Sequence, residues 1–249
     1  MNRLPSSAFK RIHLGLLLDL LRLFLFPALL CIVLLFISIE TAEAGLEPNT
    51  VSAETLMQNP TLSVRLLYSL LTLLYCAAAL TSLVVVSGIS ELESGSKVLQ
   101  RSKRAYVALL LAEALAMLAH ITSLILQSGD TGLFVSMIFL ISIALILVFR
   151  CAGLRSLMLG FREILARIGD ETLSHEAGSL AQRITAVMGL LFSILLIALV
   201  LPRFQAAAAV LKRLLQICAV VLFAYFAVIS FQIVRCARRA ADEITALSE

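Results

Sequence analysis

Along this chain, apolar side chains gather into long runs separated by short polar connections. The runs fall at 20–39, 66–86, 105–127, 133–149, 184–201 and 214–234. Each reaches the roughly 17–25 residues that carry an α-helix across a bilayer. The pattern predicts an all-α fold, a polytopic helical membrane protein with six transmembrane helices in one membrane domain over 1–249.

The third run, AYVALLLAEALAMLAHITSLILQ, carries the most information. Tyr106, Glu113, His120 and Gln127 recur every seven residues. Seven residues fall about 20° short of two full helical turns, so the four form one slowly drifting polar stripe. Ala108, Ala112 and Ala116 form a neighbouring stripe of small residues, which lets another helix approach closely. Glu113 and His120 are separated by about 10 Å along the axis, too far for a direct bond. A carboxylate in this setting is costly, and such groups are buried, paired, neutral or functional.

Similar stripes mark other runs. Tyr68, Tyr75 and Ser82 share a face of the second, and Cys218, Tyr225 and Gln232 a face of the sixth. The fifth carries Thr185, Gly189 and Ser193 at four-residue spacing, a small-xxx-small packing pattern.

The connections predict further elements. Residues 1–19 read as an amphipathic segment at the inner membrane surface that runs into the first span, in which Asp19 can pair with Arg22 three positions on. Pro27 marks a kink or turn near the start of the first span. The acidic stretch 40–62 reads as a solvated connector. Gly129 to Gly132 reads as a tight turn, and the basic stretch 202–213 as re-entrant or interfacial. Residues 150–183 read as an amphipathic cytosolic arm whose first helix either extends the fourth span or lies on the inner leaflet, with Leu154, Leu157, Met158, Phe161, Ile164, Leu165 and Ile168 on its apolar face. Gly153 and Gly160 weaken that helix, and Gly169-Asp170 ends it.

Charge sets the orientation. Lys and Arg concentrate in 1–19, 87–104, 150–183 and 235–239, whereas the opposite connections hold Arg65, Arg203, Lys212 and Arg213. This bias places the N-terminus and C-terminus in the cytosol and the chain in the plasma (cytoplasmic) membrane as a multi-pass protein. The pairing of Arg150-Cys151-Ala152 with Arg235-Cys236-Ala237 suggests three related helical hairpins.

Composition narrows the chemistry. Hydrophobic residues make up 61% of the chain and charged residues 14%, which points away from a soluble protein. The net charge of +4 carries no dense basic patch interleaved with aromatics, so nucleic acid is not an expected partner. The five cysteines form no CxxC pair, and neither a metal nor a cofactor is expected. No HExxH, GxSxG, Walker A or Gly-rich dinucleotide loop is present, so the chain does not read as an enzyme. The leading expectation is a non-enzymatic membrane subunit or accessory protein. It contacts lipid and offers residues 150–183 to a membrane or cytosolic partner. The alternative is a small permease or proton-coupled transporter. Glu113 and His120 would then work in a midplane cavity lined also by Tyr106, Tyr68, Tyr75, Tyr225 and Gln232.

Overall fold

The computed structural model describes residues 6–43, 62–92, 96–125, 129–200 and 208–247. Their regular structure is entirely helical: α1 (Ser6–Glu43), α2 (Leu62–Leu92), α3 (Lys97–Ile125), α4 (Gly129–Ile168), α5 (Glu171–Val200) and α6 (Ala208–Ala246). Five stretches among the described residues are long and apolar enough to cross a membrane. They are Ser69–Leu92, Lys97–Thr122, Ala144–Ile168, Glu171–Ile194 and Val220–Ala246. Most side chains of the first expected span lie outside the described residues, as do the connector 44–61 and residues 201–207. The molecule is therefore a helical membrane protein.

Each helix packs on its chain neighbours, and α6 closes back on α1, so the six form a ring in chain order. Several helices are much longer than a bilayer requires. The 40 residues of α4 span about 60 Å, twice the thickness of the hydrocarbon core. The excess lies at one end of the ring, the polar end. There the start of α1 meets the end of α2 through Arg11 and Glu91, 2.5 Å apart. Ser96 beside α3 donates to Glu163 of α4 at 3.1 Å. Arg239 of α6 approaches Glu176 of α5 at 3.4 Å.

This arrangement decides two expectations. Residues 6–19 do run into the following apolar run, because α1 is unbroken from Ser6 through Pro27 to Glu43. Of the two placements open to the 150–168 helix, the structure has the extension: residues 150–168 complete α4, and 171–183 begin α5. The reason is burial. Phe9, Ile12, Leu157, Met158, Phe161 and Leu165 are all fully enclosed at the polar end. The Phe9 and Phe161 rings meet there with centroids 5.1 Å apart. Sequence alone shows that a face is apolar; it does not show that another helix of the same chain will cover it. The stretch expected to turn at Gly129 to Gly132 is likewise the first turn of α4.

Local chemistry sets the turn between α4 and α5. Gly169 adopts φ +89°, a left-handed conformation that favours glycine. Asp170 N–H donates to the Leu165 carbonyl and Gly169 N–H to that of Ala166, which closes the end of α4. The Asp170 carboxylate then accepts from Leu173 N–H at 2.9 Å and caps α5.

Glycines also let helices touch. A Cβ on Gly88 would lie 2.6 Å from Ile12 and 2.7 Å from the Ala8 carbonyl oxygen, so α1 and α2 cross almost backbone to backbone. Gly153 and Gly160, expected as weak points of a helix, instead receive Tyr106 and Leu99 of α3.

Candidate functional site, a buried charge network

Polar and charged side chains around Glu113 form a network that links five of the six helices. Ser82 of α2 donates a hydrogen bond to Glu113 of α3 at 3.1 Å. The other oxygen of Glu113 lies 3.6 Å from an Arg22 nitrogen of α1. Arg22 pairs with Asp19, one turn back on the same helix, at 2.8 Å. Asp19 also pairs directly with Arg150 of α4. The Arg150 guanidinium sits over the Phe226 ring of α6, 5.8 Å from its centroid, in cation–π geometry.

The network is largely closed off. Glu113 is 2% exposed, and the side chains of Arg150 and Arg22 are 12% and 14% exposed. Two guanidiniums face two carboxylates, so the cluster balances its charge when both acids are ionised. Such balance is what makes charges tolerable in a medium that cannot solvate them. Chain position sets its depth. Exposed large apolar residues begin at Leu14 on α1 and Val107 on α3. Asp19 and Glu113 lie five and six residues deeper, about 8–9 Å inside the apolar belt.

The expected site residues divide into two groups. Glu113, Tyr106, His120 and Tyr75 meet neighbouring helices at three separate levels of the bundle. Tyr106 is 4% exposed and packs against Gly153. The Tyr75 and His120 rings lie 6.2 Å apart. Ala112 and Ala116 are buried, and Ala108 is half-buried. In contrast, Tyr225 is 42% exposed and faces outward from α6. Gln232 accepts a hydrogen bond from Arg183 at 3.1 Å, near the polar end. The stripe of α6 therefore does not join those of α2 and α3. Thr185, Gly189 and Ser193 are exposed, so among the described residues no other helix covers that small-residue face. The Tyr68 side chain and Gln127 lie outside the described residues.

By sequence, Arg150 is only a positive charge at a helix end, and Asp19 with Arg22 only a local pair. Their shared role nonetheless has a readable signal. Each interrupts an apolar run, as in LLLDLLRLFLF and LILVFRCAG. Counted inward from the polar end, they reach a similar depth to Glu113.

Two other features complete the description. A cavity of about 180 Å³ lies between α4, α5 and α6, with Arg150, Cys151, Val187, Leu191, Leu222 and Phe226 among its walls. Outside the spans, His13 sits where α1 meets α6. Burial pushes its pKa down from 6.5, Arg238 adds to the effect, and Asp242 opposes it. Among the described residues, no group of three His, Cys, Asp or Glu side chains is placed to hold a metal.

No family model, curated protein or solved structure matches this chain.

Proposed function

We propose that this chain is a non-enzymatic subunit or accessory protein of the cytoplasmic membrane, with both ends in the cytosol. One observation carries the reading: the polar groups of the α3 stripe are engaged with other helices of the same chain. Glu113 meets Ser82 and Arg22, Tyr106 fills the space over Gly153, and His120 lies beside Tyr75. The outward position of Tyr225 further supports packing over a shared solute cavity. Side chains in such a network lock helices in register. The apolar face of 150–183 is consumed within the bundle. A cytosolic partner would therefore meet the charged face that carries Arg155, Arg162 and Arg167, all exposed. The test is gentle affinity purification from native membranes followed by intact-complex mass spectrometry. A stoichiometric second protein is expected, and Glu113→Gln, which keeps an oxygen for Ser82, retains it. A chain that always emerges alone ends this reading.

A second reading, a small proton-coupled transporter, draws on one oxygen of Glu113. That oxygen is buried, accepts no hydrogen bond and lies beside a guanidinium. Proton flux in liposomes containing the purified protein, abolished by Glu113→Gln, is its expected signature. Flux no greater than in empty liposomes removes it.

A further inference from the structure

We infer that the cavity between α4, α5 and α6 seats one acyl chain of an anionic phospholipid from the leaflet at the polar end. The walls show what it takes. Leu147, Val187, Leu191, Ile194, Leu222 and Phe226 present hydrocarbon, and Phe223, half-exposed on the outer surface, marks a lateral opening toward lipid. A cavity in the membrane-spanning part that opens sideways meets lipid chains before any aqueous solute.

The cavity also has a direction. Along α4, Leu147 lies deeper than Arg150. Along α5, Ile194 lies deeper than Val187. Along α6, Leu222 lies deeper than Phe226. The apolar walls thus extend toward the membrane centre, while the polar groups collect at the shallow end. One cation lies just beyond that end. Arg183, exposed and one turn above Val187, is held across the α5–α6 boundary by Gln232. A phospholipid fits this polarity. Its phosphate meets Arg183 at the surface, and one tail runs down the cavity. Asp19 already neutralises Arg150, so the negative charge belongs at Arg183.

The test uses the full-length protein in nanodiscs of phosphatidylcholine and phosphatidylglycerol, with retained lipid read by native mass spectrometry. One phosphatidylglycerol per chain is expected. Arg183→Ala, at an exposed position that does not threaten folding, lowers the preference for phosphatidylglycerol over phosphatidylcholine by about fivefold, the worth of one cation at a membrane surface. Leu191→Trp fills the cavity and abolishes retention of either lipid, with a monodisperse elution profile confirming that it folds. Absence of retained lipid in the wild type overturns the inference. So does equal retention by a folded Leu191→Trp protein, or a lipid preference unmoved by Arg183→Ala.

Discussion

The two ends of this bundle are built on opposite plans. At the polar end, the helices carry charge outside and hydrocarbon inside, with Phe9, Met158 and Phe161 fully enclosed. In the membrane-spanning part, leucines and valines such as Leu73, Leu111 and Val220 face outward. There the charged group Glu113 is among the best-buried side chains. Water drives apolar surface together at the first end. Lipid exerts no such drive, and the helices there are joined by small residues, hydrogen bonds and paired charges. The helices thus change their cohesion along their length.

Substitutions separate the two plans. The largest expected effect is from Arg150→Leu, which leaves Asp19 buried with Arg22 as its one remaining guanidinium. Breaking a buried pair costs about 3–5 kcal/mol, read as a lowered midpoint in detergent-based unfolding. If Arg150→Leu is neutral, the membrane part is not held by its charges. At the other end, Phe161→Ala empties a packed aromatic site and costs about 3–4 kcal/mol by the same assay. Little change there means that the polar end contributes no true core. Tyr225→Ala is the control in the membrane part, within about 0.5 kcal/mol of wild type because its side chain is outward.

Glycine substitutions give a finer contrast. Gly88→Ala forces apart α1 and α2 where the added Cβ meets Ile12 and the Ala8 carbonyl, at a cost of about 1–3 kcal/mol. Gly189→Ala meets nothing within 4 Å and gains up to about 1 kcal/mol of helix propensity. Thermal midpoints that move in the same direction for both break the distinction between covered and open helix faces.

The smallest effect concerns pH. His13 has a lowered pKa in the folded protein, so the unfolded chain binds its proton more readily. Stability from this group is present above pH 6.5 and falls as the pH drops through that value. His13→Gln flattens the stability profile between about pH 7 and 5, measured as thermal midpoint against pH. An unchanged slope removes His13 as its source.

Much of the candidate site is legible in the sequence. The seven-residue stripe singles out Glu113, and the spacing of Asp19 and Arg22 predicts their pairing. Periodicity reports a face, however, and not what that face meets. The stripes of α3 and α6 look alike along the chain, yet alanines flank one, while Val221, Val228 and Phe231 flank the other. Neighbours close over the first, and the second stays outward. Arg150 is hidden for a related reason: its carboxylate partner lies on another helix, far away along the chain.

Hydropathy by itself determined the helical class, because a backbone in lipid must satisfy its own hydrogen bonds and does so as helices. Capping chemistry at Gly169-Asp170 determined the end of α4 and the start of α5 for an equally local reason. The ring order, the covering of the 150–168 face, the joining of Asp19, Arg22, Glu113 and Arg150, and the cavity beside them were decided only by the tertiary structure. Each depends on which two helices meet and at what depth, and side-chain pairing across helices leaves no periodic trace in a single chain.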